Sequence, residues 1–201
     1  MLAKKTKRCI LFLGIFTNSS KIMKTGLKYT IFKTKWGFFG LLADKNGLLR
    51  TILPMSNYQK VKRYLLVGMF GGVSEDKELY FELQKAIKSY YNGSYVDFKK
   101  LHFSISMPKS SYLVCKVVKV CKAIPPGKTI TYSQLAKKAD FPKAARAVGS
   151  VLAKNPLPLI VPCHRVIRAD GKIGNFSAPG GSKTKKKMLE HEKERSKEIR
   201  K

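Results

Sequence analysis

From Thr131 to Ile167 the chain reads TYSQLAKKADFPKAARAVGSVLAKNPLPLIVPCHRVI. It opens on Thr131-Tyr132-Ser133-Gln134, a hydroxyl at a helix-cap position with a glutamine three residues later. In that pattern each side chain satisfies a backbone amide that the helix start leaves unpaired. A short helix to about Ala139 is predicted. Asp140-Phe141-Pro142 makes a turn, and Pro142 suits the first turn of a second helix, where its missing amide costs nothing. That helix is predicted over about Lys143 to Lys154, ending at Asn155-Pro156. Two short helices joined by a tight turn read as a helix-turn-helix. Leu159-Ile160-Val161 then reads as a brief apolar strand delivering Pro162-Cys163-His164-Arg165.

Upstream, Leu113, Val117, Cys121 and Ile124 repeat at helical spacing until Ile124-Pro125-Pro126-Gly127 stops the run. Earlier still, Tyr29 to Phe32, Trp36 to Leu42 and Leu48 to Leu53 are rich in aromatic and branched apolar residues. Asp44-Lys45-Asn46-Gly47 suits a tight hairpin between the last two, so an antiparallel meander is predicted. A short helix near Gln59 to Tyr64 follows. A longer one is predicted from about Glu75 to Tyr91, with Leu79, Leu83, Ile87 and Tyr90 on one face and Asn92-Gly93 closing it. Downstream, the segment from Lys183 reads as a charged helix with an apolar patch at Met188-Leu189. Its Lys183, Lys185, Lys186 and Lys187 read as a solvated face. The expected organisation is an extension over 1–25, an α/β domain over 26–103, a mostly helical domain over 108–192 and a charged tail over 193–201.

The chain has 201 residues, 44% of them hydrophobic, which suffices for a packed core. Its formal net charge of +29 favours a polyanionic partner, nucleic acid being the commonest. On charge alone, a ribosome-associated protein or a lysine-rich proteome fits as well. Cys9, Cys115, Cys121 and Cys163 include no CxxC pair, and with His102, His164 and His191 they form no zinc cluster by local spacing. Scattered thiols suit a reducing, cytoplasmic setting. Lys4, Lys5, Lys7 and Arg8 precede an apolar run from Cys9 to Phe16 that imitates a secretion signal. The run is too short to span a bilayer, and Thr17-Asn18-Ser19-Ser20 is a poor cleavage site. No membrane association is expected.

The chemistry concentrates at Cys163. A nucleophilic thiol needs a base and a positive environment to become thiolate. His164 is adjacent, but neighbours on an extended strand point apart, so only a bend or a bridging water lets it serve. Taken alone, the pair fits a buried structural cysteine beside a surface histidine equally well.

The surroundings carry more. Ile160-Val161-Pro162-Cys163-His164-Arg165-Val166-Ile167, preceded by Ala144-Ala145-Arg146-Ala147-Val148-Gly149 and Asn155-Pro156-Leu157-Pro158, resembles the O6-alkylguanine-DNA alkyltransferase family, also called methylated-DNA–protein-cysteine methyltransferases. The resemblance is close from about Ile124 to Glu192, and Tyr29 to Phe32 with Trp36-Gly37 look like a diverged amino-terminal domain of that family. It implies a ribonuclease H-like α/β domain and a carboxyl-terminal domain with a winged helix-turn-helix-like motif. It also implies a monomer that needs no metal, cofactor or obligate protein partner, and that acts on double-stranded DNA carrying O6-alkylguanine.

By the same resemblance, Cys163 is the alkyl acceptor, activated by His164 and Glu192, with Asn155 bracing the turn. Glu190 and Glu194 lie close enough in sequence to compete with Glu192. Arg146 fills the space of an extruded nucleotide, and Tyr132 crowds the target phosphate. Ala145, Ala147, Gly149 and Ser150 are small residues that let the second helix approach the minor groove. Main-chain groups of Cys163, Val166 and Ser177 meet the base, and Asn175 and Phe176 form its wall. Phe176 stands where many relatives carry tyrosine, which removes one hydroxyl from that wall. On their own, Arg146 also fits a phosphate-pairing surface arginine, and Tyr132 and Phe176 also fit packing roles. Cys163 argues against a lesion-binding protein without the thiol. The small-residue second helix argues against a major-groove transcription factor, and the missing glycine-rich nucleophile turn against a cysteine hydrolase.

Overall fold

Alternation along β1 (Leu27–Thr34) sends Leu27 and Tyr29 to one face and Thr30, Phe32 and Thr34 to the other, and all are buried. A strand buried on both faces needs cover on both. β1 pairs antiparallel with β2 (Gly37–Asp44), and β2 with β3 (Gly47–Met55), giving the predicted meander. The computed structural model describes residues 26–69, 71–107 and 110–198. The expected extension over 1–25 with Cys9, as well as Pro108 and residues 199–201, lie outside the described residues.

α1 (Tyr58–Leu66) starts at Asn57, whose side chain accepts from the Lys60 amide, and seats Val61 and Leu65 against Leu42, Leu49 and Ile52. Its far end is closed by Arg50 of β3. The Nη1 of this buried guanidinium donates to the carbonyls of Leu65 (2.8 Å), Val67 (2.9 Å) and Tyr64 (3.3 Å). These are carbonyls that a helix terminus leaves unpaired, at the negative end of its dipole. Burial lowers the Arg50 pKa to about 10, so the group stays charged at neutral pH.

The long helix does not begin at Glu75. Val73–Glu75 forms β4, parallel to β1, and completes the sheet order β3-β2-β1-β4; α2 runs over Phe81–Asn92. The cause is side-chain pairing at the sheet edge. Glu75 accepts from the hydroxyls of Tyr29 (3.2 Å) and Tyr58 (2.9 Å), and Asp76 pairs with Lys28 at 2.9 Å. A first helical turn offers these residues nothing comparable. Gly93, at φ +105°, ends α2 in the left-handed conformation that closes a helix without a Cβ clash.

The rest of the chain is α3 (Tyr112–Lys122), β5 (Ile130–Thr131), α4 (Tyr132–Lys138), α5 (Ala145–Ala153), β6 (Val166–Ile167) and α6 (Gly181–Glu198). The capping box is formed: Thr131 Oγ1 accepts from the Gln134 amide at 3.1 Å, and Gln134 Oε1 from the Thr131 amide at 2.7 Å. Pro142 is not in the second helix. It occupies the second position of a turn closed by the Ala144 amide on the Phe141 carbonyl at 2.9 Å, and α5 starts after it. Proline's fixed φ suits that turn position as well as it suits a helix start.

Nor do Leu159 to Val161 form a strand. They form a turn in which the Val161 amide reaches the Leu157 carbonyl at 2.8 Å and Leu159 sits at φ +78°. β3 supplies the reason. The Thr51 amide donates to the Pro156 carbonyl at 2.9 Å, and its hydroxyl to the Pro158 carbonyl at 2.8 Å. Pinned there, the segment drives Leu157, Leu159, Ile160 and Val161 into one core shared with Phe39, Leu41, Ile87, Val117, Leu135, Val148 and Met188. A leucine holds a left-handed conformation only where such contacts over-determine it. No helix among the described residues is long and apolar enough to cross a membrane.

Arg50→Met keeps much of the bulk but removes the donors from the end of α1. Urea unfolding of this variant is expected to show a loss of about 2–4 kcal/mol. A midpoint equal to that of the unmodified protein would contradict the capping role.

Candidate active site

The turn that carries Cys163 is built from the end of α5 onward. The Asn155 amide caps the helix on the Leu152 carbonyl at 3.2 Å, and its side-chain Oδ1 accepts from the Leu157 amide at 3.0 Å. The Nδ2 of the same residue reaches forward to the Val161 carbonyl at 2.8 Å and to Cys163 Sγ at 3.1 Å. Pro162, at φ −78° and ψ 62°, makes an inverse γ-turn closed by the Cys163 amide on the Val161 carbonyl at 2.7 Å. Cys163–Arg165 is a single 3-10 turn, so the cysteine and histidine are not on an extended strand.

His164 is fully buried, and its Nε2 lies 2.9 Å from Glu192 Oε1. A carboxylate there makes Nε2 the protonated nitrogen, which leaves Nδ1 as a lone pair. Nδ1 has no hydrogen-bond partner among the described residues. Glu192 also accepts from Arg165 Nη2 (2.8 Å) and Nε (2.9 Å), the Tyr90 hydroxyl (3.1 Å) and the Gly127 amide (3.1 Å). Arg165 Nη1 donates to the Ile124 carbonyl at 2.6 Å.

Electrostatics follow from this burial. Burial alone would push the Glu192 carboxyl up, but His164 and Arg165 outweigh it and hold the group well below the usual carboxylate range. Burial pushes His164 down, against the pull of Glu192. It pushes the Cys163 thiol up, against the Asn155 amide, the charge of Lys185 and the backbone amides of Cys163 and His164. The resting pair is therefore a thiol beside a neutral imidazole.

Lys185 departs from the sequence expectation. It does not belong to a solvated face: it is buried, donates to the Val166 carbonyl at 2.6 Å, and lies 5.8 Å from the Tyr132 ring centroid. Burial lowers its pKa to about 8. Lys185, Met188 and Glu192 stand three and seven residues along one face of α6, and all are buried. That spacing was readable, but a lysine-rich run hides it. Arg165 carried no separate signal, and Tyr90 appeared only as one of several apolar positions on its helix.

The remaining candidate residues lie on α4, on α5 and in the loop after β6. Tyr132 opens α4 half-buried, and burial together with Cys163 raises its hydroxyl pKa. Ala145, Arg146, Ala147, Gly149 and Ser150 all lie on α5, where Arg146 and Ser150 are exposed and the other three half-buried. The Arg146 guanidinium makes no ion pair or hydrogen bond among the described residues. β5 pairs in parallel with β6, and the Arg168 to Lys172 turn follows, closed by the Arg168 amide on the Lys172 carbonyl at 3.0 Å. In the next loop Asn175 and Ser177 are exposed, while Phe176 packs on the core. A Cβ placed on Gly174 would come within 3.7 Å of the Tyr132 hydroxyl, so this loop passes the tyrosine directly. The Val166 carbonyl accepts from Lys185, and a carbonyl oxygen has two lone pairs.

The family model described as "6-O-methylguanine DNA methyltransferase, DNA binding domain" matches residues 113–194. The methylated-DNA–protein-cysteine methyltransferase of Cricetulus griseus is 31% identical over 175 residues, covering 83% of this chain and 82% of that protein. The Rattus norvegicus protein of the same name is 51% identical over 74 residues, an alignment that spans 37% of this chain and 35% of the rat protein. Among solved structures, Mycobacterium tuberculosis OGT in complex with DNA superposes with a TM-score of 0.66 at 26% identity, covering 84% of this chain and 94% of that one. With that breadth of similarity added to the geometry around Cys163, the chain belongs to the methylated-DNA–protein-cysteine methyltransferase family.

Proposed function

We propose that this protein repairs DNA directly, moving the alkyl group of O6-alkylguanine onto Cys163 in a single, irreversible turnover. The observation that carries the reading is the buried set in which Asn155 donates to Cys163 Sγ and His164 is held on Glu192, in a chain of this family.

A guanine inside a duplex hides its O6 substituent from any thiol, so the nucleotide must leave the stack. α4 and α5, with the β5–β6 pair beside them, act as a winged helix-turn-helix-like unit lying in the minor groove. Ala145, Ala147, Gly149 and Ser150 allow close approach, Arg146 takes the place of the extruded nucleotide, and Tyr132 crowds its phosphate. The carbonyls of Cys163 and Val166 accept from the guanine amino group, and the Ser177 amide donates to O6. Asn175 and Phe176 wall the base, and Phe176 offers a ring face but no hydroxyl.

The chemistry is a displacement at the alkyl carbon. Through a water, His164 Nδ1 takes the Cys163 proton, and Glu192 stabilises the imidazolium that forms. The thiolate forms an S–C bond as the C–O6 bond breaks, and the imidazolium gives its proton back through solvent to the departing guanine anion, so that neutral guanine and neutral His164 result. Lys185 and the Asn155 amide offset the cost of the transient negative charge in a buried site. A thioether carbon is a poor electrophile, so the sulfur is not regenerated and one protein repairs one lesion. In this reading the protein acts as a cytoplasmic monomer on double-stranded DNA. Its amino-terminal residues 26–103 form the ribonuclease H-like α/β part and residues 108–192 the transfer domain.

Incubation with a duplex carrying isotopically labelled O6-methylguanine should place one label per protein on the peptide containing Cys163. None is expected on Cys163→Ala, which should still bind the lesion. Label on another residue, or continued turnover, would overturn the assignment. Arg146→Ala should slow transfer from duplex DNA by roughly tenfold or more while leaving transfer from free O6-benzylguanine nearly unchanged. Equal slowing on both would refute the stacking role. Duplex affinity should fall steeply and log-linearly with salt, and a flat response would contradict phosphate-dominated binding.

A further inference from the structure

Tyr90 brings the amino-terminal half of the chain into contact with the carboxylate of the transfer site. Its ring, 2% exposed, lies in the core, and its hydroxyl donates to Glu192 Oε1 at 3.1 Å. Its main-chain carbonyl accepts from His191 Nε2 at 2.7 Å. Consecutive residues of α6 are thus gripped by one residue of α2. The Tyr90 ring also packs edge-on against His191 (5.1 Å) and Tyr91 (5.0 Å). Burial, with the nearby Glu192 charge, raises the Tyr90 hydroxyl pKa well above its ordinary value, so it remains a neutral donor at any working pH.

Glu192 Oε1 is the oxygen that matters. It receives His164 Nε2 at 2.9 Å, Arg165 Nη2 at 2.8 Å and the Tyr90 hydroxyl at 3.1 Å. Each donor spreads the charge of that oxygen and weakens its hold on the others. We propose that Tyr90 is a positioning residue for alkyl transfer: by sharing Oε1 with His164, it limits how strongly Glu192 pulls on the imidazole and so sets how readily Nδ1 takes the thiol proton. The inference rests on the reading that His164 receives the Cys163 proton.

The surrounding charged and titratable groups are fixed. From the 3-10 turn come Cys163, His164 and Arg165, and from α6 come Lys185, His191 and Arg195. Tyr91 of α2, Cys121 of α3 and Tyr95, which lines the same small cavity as Tyr90 and Glu192, lie nearby as well. Tyr90→Phe changes none of them and keeps the ring in place. It leaves no buried donor unpaired, because the hydroxyl itself is what departs.

The sign of the effect follows. Without the Tyr90 hydroxyl, Oε1 carries more charge toward His164, the imidazolium is favoured, and more base is needed to free Nδ1. The acid limb of the transfer rate then moves to higher pH. A residue that merely filled space would lower the rate by one factor at every pH, or lower the melting temperature alone.

The test uses the full-length protein under single-turnover conditions, with methyl transfer from an O6-methylguanine duplex followed from about pH 5 to about pH 9. In Tyr90→Phe the acid limb should move up by roughly half a unit or more, with less than about threefold loss on the plateau. Replacing Tyr90 by a ring-difluorinated tyrosine, which keeps the shape and makes the hydroxyl a stronger donor, should move the limb down. That arm stands even if the phenylalanine variant folds poorly. Limbs that superpose on the unmodified protein's, or a uniform drop across pH, would overturn the role of Tyr90. Failure of the unmodified protein to transfer any methyl group would instead overturn the functional reading beneath it.

Discussion

A carboxylate buried in a protein costs several kcal/mol unless it is paired and fully hydrogen-bonded, and Glu192 is such a group. Its oxygens are met from three separate places in the chain: Tyr90 on α2, Gly127 in the turn before β5, and the adjacent His164 and Arg165. Each partner sits where it does because something else holds it. Tyr90 is fixed by the core under the sheet, and Arg165 by the Ile124 carbonyl. The sheet pins the loop before the cysteine through Thr51. Described residues of the amino-terminal half thereby help to hold the turn around Cys163.

The same burial shapes the reactivity of Cys163. A thiol pushed up by desolvation is quiet toward adventitious electrophiles, which suits the single use of this sulfur in the proposed reaction. In the proposed reaction, the Asn155 amide and the Lys185 ammonium meet charge that exists only during transfer. Donors already in place cost no reorganisation when that charge appears. The neutral thioether that the proposed reaction leaves needs none of them.

Local rules carried the sequence reading a long way. The capping box at Thr131, the hairpin at Asp44 to Gly47 and the glycine closing α2 are short-range chemistry, and each is present where the residues place it. Of the four residues the resemblance picks out, Asn155 donates to Cys163 Sγ and His164 is held on Glu192. The misses are non-local. Nothing near Leu159 announces that Thr51, more than a hundred residues earlier, will draw that segment into a turn. Glu75 leaves the predicted helix for tyrosines on β1 and α1. Lys185 looks like its exposed neighbours until Met188 and Glu192 are seen on the same face.

The buried site holds together only while Glu192 stays ionised in the folded protein. Carbon-13 carboxyl labelling of the glutamates, followed by NMR through an acid titration, reads this directly. One glutamate resonance should hold its ionised shift while the others titrate in the ordinary range near about pH 4, and it should move only when the fold is lost. A full set of glutamates titrating together in the folded state would contradict the buried pairing at the heart of the site.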